Sequence, residues 1–359
     1  MSLTIPATPE ALTADWLTAA LRESGVLAAG SVSAVSTDRR GLVSGFYGDV
    51  ARLRVEYTGD VGQLPATIIG KFPTSNAAAF EIGLQRGYFA REVAFYRELA
   101  SGCGLRVPAY FGSGIDPDSG GCVLLLEDLS GLRAGTERAA SHPDDVRAVL
   151  AQLAAFHGRW WGSSRLADFD WLPPTDDGAE RYQRNFAAAW EVLFDRLGGE
   201  LARSASEVGI AVAERVPAIK GALAQAPAVF LHADVRSENI FFDADGEVVV
   251  LDWQHCRRGR GAFDVATYLF GVARDLAVDD ECALLATYHE GLGAAGVEAF
   301  TLEDCLRDYQ LAMVDRFVNV GSTLATVDPD SASGQMALEY LARCSMARFV
   351  QYAKVLDSL

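Results

Sequence analysis

The segment LHADVRSENIFF, which runs from Leu231 to Phe242, combines apolar ends with a polar centre. The apolar ends predict burial, and a charge close to a buried core is costly unless it is paired or bound to a metal. Two of the polar residues, Asp234 and Asn239, are therefore candidates for chemistry. Each has a structural alternative, because Asp234 could cap a turn and Asn239 could start the strand that follows.

A further acid, Asp252, ends the apolar run EVVVLD. This run and the earlier run NIFFD flank the turn ADG at 244–246, a pattern typical of a β-hairpin. Because a hairpin brings its two ends together, Asn239 and Asp252 are expected to lie side by side. An amide oxygen and a carboxylate are ligands of the kind that Mg²⁺ takes alongside phosphate oxygens. With Asp234 free to accept a hydroxyl proton and Arg236 as a cation, the set favours phosphoryl transfer.

Only three lysines occur in the chain, and one of them, Lys71, lies in the predicted strand ATIIGKF. Glu92 follows in REVAFYREL, on a long amphipathic helix that the hydrophobic periodicity predicts over 77–100. A strand lysine held by a helix glutamate can position the phosphates of a nucleotide. The alternative is a solvated lysine at the edge of a strand, although the apolar neighbours of Lys71 count against it.

Glycines recur in the segment GLVSGFYGD, between the first two predicted strands, at Gly41, Gly45 and Gly48. Glycine allows backbone N–H groups to approach a phosphate closely. The spacing GxxxGxxG is by itself also typical of an ordinary turn. The position of this segment, upstream of the strand that carries Lys71, favours a phosphate-binding loop.

The surrounding elements predict an α+β fold with two lobes. Residues 1–31 are expected to form a helical segment that begins at the cap Thr8 and Pro9. Residues 32–127 read as a small strand-rich lobe with one long helix, and residues 128–359 as a larger, mainly helical lobe. Lys71 and Glu92 fall in the small lobe, and the polar loop with Asp234 and Asn239 falls in the large one.

Charge and hydropathy argue against several function classes. The net charge of −17 disfavours broad nucleic-acid binding, which needs a basic surface. No apolar run reaches the ~18 residues of a membrane helix, and the first residues lack the pattern of a secretory signal. We therefore expect a cytoplasmic protein without nucleic-acid or membrane partners. The oligomeric state is left open.

The string HADVRSEN, followed thirteen residues after its Asn by DWQ, resembles the catalytic loop and metal segment of the aminoglycoside phosphotransferase and choline kinase-like superfamily. Protein kinases carry HRDxxxxN and DFG in these places. The phrases LPATIIGKFP, REVAFYREL, LLLEDLS, LAAFHGRWW and VVVLDWQ are most similar to its ecdysteroid-kinase-like (CHK kinase-like) branch. The resemblance covers roughly 41–269 and implies a bilobal, protein-kinase-like fold. It also implies that the small lobe binds the nucleotide and that the large lobe carries the catalytic loop, the metal site and the acceptor pocket.

The resemblance also implies an ATP- and Mg²⁺-dependent kinase that phosphorylates a hydroxyl of a small molecule, with GTP left open as the nucleotide. Asp234 would be the catalytic base, Arg236 would stabilise the transferring group, and Asn239 and Asp252 would hold Mg²⁺. The implied nucleotide-binding residues are Lys71, Glu92, Gly41, Gly45, Gly48, Glu127 and Leu129.

Two positions depart from the commonest family pattern. Ala233 stands where glycine usually follows the loop histidine, and alanine tolerates most conformations except those with positive φ. Gln254 stands where many aminoglycoside kinases carry an acid, which favours the ecdysteroid-kinase-like branch. His232 and Asp264 are expected to support the loop structurally, and His157 is expected to be a packed core histidine.

Other functions remain as alternatives. A nucleotide-independent metallohydrolase could use His232, Asp234, Asp252 and His255, since His and Asp bind transition metals. It would leave Lys71 unexplained. A non-catalytic nucleotide-binding module would need a lost key group, and all key groups are present. The acceptor is left open among steroid-like alcohols, amino alcohols, hydroxy acids and antibiotics.

Overall fold

The computed structural model describes residues 4–38, 47–116, 119–136, 142–197, 203–272, 278–344 and 346–359. The chain divides into two compact units. The first comprises Met1–Arg133 with Val249–His255, and the second comprises Ala134–Val248 with Cys256–Leu359. No helix within the described ranges is both long and apolar enough to cross a membrane. The division into 1–31, 32–127 and 128–359 stays a prediction.

A five-stranded antiparallel sheet forms the first unit. The strands are β1 (Ser31–Asp38), β2 (Gly48–Thr58), β3 (Thr67–Pro73), β4 (Tyr110–Ile115) and β5 (Cys122–Glu127). Their spatial order is β1-β2-β3-β5-β4, which places β3 in the middle of the sheet. Strand β3 agrees closely with the predicted strand ATIIGKF, and apart from Ser31 at the start of β1 all five strands lie in the predicted strand-rich region 32–127. With the helical second unit, this confirms the predicted α+β fold.

Helix α1 (Ala14–Glu23) covers one face of this sheet. Thr13 caps it, because the Thr13 side chain accepts the backbone N–H of Trp16. The cap predicted at Thr8 is wrong, since Thr8 precedes only a short 3₁₀ turn, Pro9–Ala11. The buried residues between helix and sheet include Trp16, Leu17, Leu21, Leu53, Val55, Ile68, Val123 and Leu125.

The single helix predicted over 77–100 is wrong, because it is divided into α2 (Ala77–Gln85) and α3 (Tyr88–Glu98). Gly87 separates them with φ at +66°, in the left-handed region. Only glycine adopts this conformation without a steric penalty, so Gly87 ends one helix and starts the next in a new direction. Helix α3 is the one that carries Glu92.

The second unit is mainly helical. Its helices are α4 (Pro143–Trp160), α5 (Ala179–Leu197), α6 (Arg203–Ala224), α7 (Ala262–Val272), α8 (Val278–Ala294), α9 (Leu302–Gly321), α10 (Ala332–Arg343) and α11 (Met346–Tyr352). Helix α9 packs against α5, α6, α7, α8, α10 and α11, so it forms the centre of this unit.

Short strands accompany the helices near the predicted polar loop. They are β6 (Arg133–Ala134), β7 (Val229–Leu231), β8 (Ile240–Phe242), β9 (Val248–Val250) and β10 (Arg257–Gly259). The turn predicted between the apolar runs is present. The N–H of Gly246, at φ +81°, donates to Asp243 O at 3.1 Å. The Asp243 carboxylate accepts the N–H groups of Asp245 and Glu247.

Gly87→Ala should lower the free energy of unfolding by about 1 kcal/mol, because a Cβ disfavours the left-handed backbone. Urea denaturation checks this value. Gly102→Ala is the matched control, since neither a close atom nor a positive φ opposes a Cβ there. Equal stabilities of the two variants would contradict the assigned role of Gly87.

Candidate active site

A buried ammonium group is held between two carboxylates in the first unit. Lys71 Nζ lies 2.7 Å from Glu92 Oε2 and 2.6 Å from Asp252 Oδ1. Lys71 comes from β3, Glu92 from α3, and Asp252 from the segment after β9. The contact predicted between Lys71 and Glu92 is present. The second partner, Asp252, was not expected from the sequence.

Burial and charge compete in this cluster. Burial lowers the pKa of Lys71, but the charges of Asp252 and Glu92 raise it by more, so the pKa lies above the ordinary lysine value. Burial raises the pKa of Glu92, and the charge of Lys71 acts against this change. When all three groups are ionised, one ammonium faces two carboxylates. Carboxylates of this kind are ligands that Mg²⁺ takes alongside phosphate oxygens.

The backbone of Asp252 adopts a conformation that is uncommon outside glycine, with φ at +70°. Its neighbours hold it in place. Trp253 stacks on Phe95 of α3 with ring centroids 4.1 Å apart. The Gln254 amide donates to Asp252 Oδ2 at 3.3 Å, which leaves Oδ1 for Lys71. Gln254 therefore orients the Asp252 carboxylate.

Gly48 lies beside Lys71 at the start of β2. A Cβ at Gly48 would lie 3.2 Å from Lys71 Cε, which is tighter than ordinary packing. A side chain at Gly48 would therefore press on the lysine. Gly41 and Gly45, the other predicted members of the glycine loop, lie outside the described residues.

Glu127 and Leu129, which were predicted to bind the nucleotide, lie at the end of β5 and in the turn that follows. The Glu127 carboxylate accepts the N–H of Ala109 at 3.0 Å, and Leu129 is buried. Arg52 Nε lies 2.6 Å from Asp128 Oδ2, and this ion pair holds the turn against β2. The backbone N–H of Glu127 also donates to the Ala109 carbonyl, at 2.9 Å, so both the side chain and the N–H of Glu127 bond to Ala109.

In the second unit, the candidate base Asp234 lies between β7 and β8. Arg236 Nε is 3.1 Å from Asp234 Oδ1, and Arg316 Nη2 of helix α9 is 3.4 Å from the same oxygen. Asn239 Nδ2 donates to Asp234 Oδ2 at 3.2 Å and to the Asp234 carbonyl at 2.9 Å. No described residue donates to Asn239 Oδ1. That oxygen is therefore the one suited to a metal ion.

The structure thus groups Asp234, Arg236 and Asn239 in the second unit, and Lys71, Glu92 and Asp252 in the first. Asn239 and Asp252 belong to different units, so their joint role as a metal pair stays a prediction.

Ala233 is in the left-handed region, with φ at +66°. This is the conformation for which the family pattern would supply glycine. The buried carboxylate of Asp264 holds it, since Oδ1 accepts the Ala233 N–H at 2.7 Å and Oδ2 accepts the His232 N–H at 2.8 Å. Charge-assisted hydrogen bonds of this kind offset the cost of the backbone strain.

Two buried histidines extend this support. His232 Nδ1 accepts the Asp234 N–H at 3.1 Å, so the ring bridges the turn. His157 Nε2 lies 3.3 Å from Asp264 Oδ2, and its Nδ1 lies 2.7 Å from the Tyr288 hydroxyl. Burial raises the pKa of Tyr288 well above its ordinary value, so the hydroxyl stays protonated and can donate.

Sequence reasoning missed one of these residues and one contact. His157 is buried, as predicted, but its contact with Asp264, which connects helix α4 to the polar loop, was not expected. Arg316 was not singled out at all. Its signal was an arginine inside the apolar run LAMVDRFVNV, where a buried charge requires a partner.

The family model described as the phosphotransferase enzyme family, APH, matches residues 80–306, and the chain belongs to that family. The match spans Glu92, the polar loop and Asp252. No curated protein matches the sequence.

Solved structures of small-molecule kinases share the fold. APH(2")-IIia, in complex with GDP and kanamycin, is 16% identical with a TM-score of 0.55, over 87% of this chain and 93% of that one. A thermostable mutant of APH(4)-Ia, in ternary complex with AMP-PNP and hygromycin B, is 15% identical with a TM-score of 0.52, over 90% and 94%. Plasmodium vivax ethanolamine kinase is 12% identical with a TM-score of 0.51, over 88% and 81%.

Ala233→Gly should raise the free energy of unfolding by about 0.5–1 kcal/mol, because the removed strain of a left-handed alanine exceeds the added entropy of the unfolded chain. Chemical denaturation measures the change. Ala188→Gly, at an exposed position of helix α5, should lower stability by about 1 kcal/mol. If Ala233→Gly lowered the free energy of unfolding instead, the left-handed backbone of Ala233 would not be a source of strain.

Proposed function

We propose that this chain is an ATP- and Mg²⁺-dependent kinase that phosphorylates a hydroxyl group of a small molecule. The observation that carries the proposal is the Lys71 ammonium, held between Glu92 and Asp252 in the middle of the strand-rich unit. A fixed, charged lysine supported by a helix glutamate suits the phosphates of a nucleotide. Membership of the phosphotransferase family agrees with this role.

The residues present fit a magnesium ion by their chemistry. Asp252 supplies a carboxylate, and Asn239 Oδ1 accepts no hydrogen bond from the described residues. We propose that the Asp252 carboxylate and Asn239 Oδ1 hold Mg²⁺. When bound, the ion neutralises charge on the phosphates and orients them.

Asp234 is the proposed base. It takes the proton of the acceptor hydroxyl while the hydroxyl oxygen forms a bond to the γ-phosphorus. The bond from that phosphorus to the β–γ bridging oxygen breaks, and the nucleoside diphosphate leaves. Arg236, at 3.1 Å from Asp234, stabilises the negative charge of the transferring group.

The nucleotide and the acceptor class follow from different arguments. Similar structures are complexes with GDP or AMP-PNP, which supports a purine nucleotide, and ATP is proposed with GTP as the alternative. Two of these complexes contain kanamycin or hygromycin B, and a third similar protein is an ethanolamine kinase, which supports a small-molecule acceptor with hydroxyl groups. Within the family, the phrases LLLEDLS and VVVLDWQ support the ecdysteroid-kinase-like branch.

The metallohydrolase alternative has less support. Within the part of the chain that the structure describes, no three His, Cys, Asp or Glu side chains are grouped to hold a metal ion. His232 is committed to the N–H of Asp234, and His255 packs against the ring of Tyr88 at 4.5 Å. Neither histidine is arranged with a set of carboxylates around a common point.

Thermal melting tests the nucleotide site. ATP with Mg²⁺ at a hundredfold excess over its dissociation constant should stabilise the wild type by about 2.7 kcal/mol. Asp252→Asn should lose the Mg²⁺-dependent part of the shift. Asp245→Asn, at an exposed turn residue, should keep it. The absence of a shift in the wild type with ATP or GTP would overturn the proposed function.

Asp234→Asn tests the base. Turnover should fall by at least about 100-fold, because the substituted amide cannot take the hydroxyl proton. The melting shift with Mg²⁺-nucleotide should stay near that of the wild type. A variant that loses nucleotide binding together with turnover would show that Asp234 acts in binding and not as the base.

A further inference from the structure

We propose that Arg91 of helix α3 is a positioning residue for the metal site. It holds the backbone of Gln254, and through Gln254 it fixes the direction in which the Asp252 carboxylate points. The inference rests on the proposed function, because it takes Asp252 as a ligand of Mg²⁺. It deepens that function by naming a residue outside the predicted site on which metal binding depends.

The segment 252–255, which follows β9, begins with a backbone that needs support from outside. Asp252 has φ at +70°, and a residue other than glycine keeps such a conformation only when its surroundings determine it. The residues after it, Trp253–His255, form a single 3₁₀ turn, whose own hydrogen bonds have poor geometry. The conformation of the segment therefore depends on the residues that contact this turn.

Arg91 contacts the turn with a buried guanidinium group. Its Nη1 donates to the Gln254 carbonyl at 3.1 Å, and its Nη2 donates to the Arg86 carbonyl at 2.9 Å. Arg86 directly follows α2, at the junction that Gly87 makes between α2 and α3. Because Arg91 is only 8% exposed, water weakens these bonds little. One planar group thus joins the helix junction to the segment that carries the metal ligand.

The contact at Gln254 reaches Asp252 in one further step. The Gln254 side-chain amide donates to Asp252 Oδ2 at 3.3 Å. Because the Gln254 carbonyl is bonded to Arg91, the backbone from which that amide extends is held in place. Lys71 holds the other oxygen, Oδ1, at 2.6 Å. The carboxylate is therefore fixed from two directions, and groups that orient a metal ligand in this way strengthen metal binding.

An aromatic contact supports the same arrangement. The Arg91 guanidinium lies over the ring of Tyr88, 5.6 Å from its centroid, which is a favourable cation–π geometry. The ring of Tyr88 meets the ring of His255 edge to face, with centroids 4.5 Å apart. Arg91 and Tyr88 lie one turn apart on α3, so this end of the helix contacts the segment at two successive residues, Gln254 and His255.

Two further contacts between α3 and the segment act on Trp253. Its ring stacks on Phe95, and its backbone N–H donates to Glu92. These contacts hold the residue before Gln254, whereas Arg91 holds Gln254 itself. Loss of the Arg91 side chain is therefore expected to disturb the direction of the Asp252 carboxylate while the packing of Trp253 stays in place.

Mg²⁺ titrations of the nucleotide-dependent melting shift test the inference on the full chain. The measured quantity is the half-point, which is the free Mg²⁺ concentration at half of the maximal shift with saturating ATP. Arg91→Met fills a similar space but donates no hydrogen bond, and it should raise the half-point by about 10–100-fold. Saturating Mg²⁺ should restore the shift, because the metal ligands themselves are unchanged.

Arg97→Met is the matched control on the same helix. Arg97 also makes two hydrogen bonds, from Nε to the Ser113 hydroxyl at 2.9 Å and from Nη2 to the Ser113 carbonyl at 3.1 Å. These bonds join α3 to β4 rather than to the segment 252–255, so the half-point should stay at the wild-type value. The melting temperature without ligand measures any loss of stability separately in each variant.

Arg91→Lys is a second test that keeps the charge. A single ammonium group does not reproduce the planar fork that donates to both carbonyls, so the half-point should rise, although by less than in Arg91→Met. This variant decides the inference if Arg91→Met does not fold. An unchanged half-point in either Arg91 variant, or an equal rise in Arg97→Met, would overturn the inference. These results leave the nucleotide shift of the wild type intact, whereas failure of the proposed function removes that shift.

Discussion

The buried carboxylate of Asp264 sets the loop on which the proposed chemistry depends. It accepts the N–H groups of His232 and Ala233, and it lies 3.3 Å from His157. Hydrogen bonds to a charged acceptor contribute about 1.5–3 kcal/mol each. Together they exceed the roughly 1–2 kcal/mol that a left-handed alanine costs. The polar loop therefore keeps a strained backbone in which Asp234 faces its arginines.

Each of the two units contains a cluster of charged side chains. In the first, the Lys71 ammonium contacts the carboxylates of Glu92 and Asp252. In the second, the guanidinium groups of Arg236 and Arg316 lie 3.1 and 3.4 Å from one oxygen of Asp234. The family membership defines the reaction class as phosphoryl transfer.

Much of the site follows from local sequence patterns. Strand β3 was predicted from its apolar run, and the contact of Lys71 with Glu92 was predicted because a strand lysine paired with a helix glutamate is the kinase arrangement that holds nucleotide phosphates. The grouping of Asp234, Arg236 and Asn239 was predicted because all three lie within a few residues of one loop. The turn at Gly246 was predicted from its residue types.

Other features depend on contacts between residues that are distant in sequence. The second partner of Lys71 is Asp252, and the second cation at Asp234 is Arg316 from helix α9. Hydrophobic periodicity also predicted one helix over 77–100, because a glycine inside a periodic pattern is compatible with a continuous helix. The left-handed backbone at Gly87 divides it into two.

The sequence by itself determined the α+β fold, the strands, the polar loop and the family to which the chain belongs. These depend on residue type and short spacing, which are local properties. Tertiary structure decided the partners of each buried charge and the conformations of Ala233 and Asp252. The reason is that the partner of a buried charge is the group that tertiary packing places within about 3 Å of it. Short-range sequence patterns do not determine that distance.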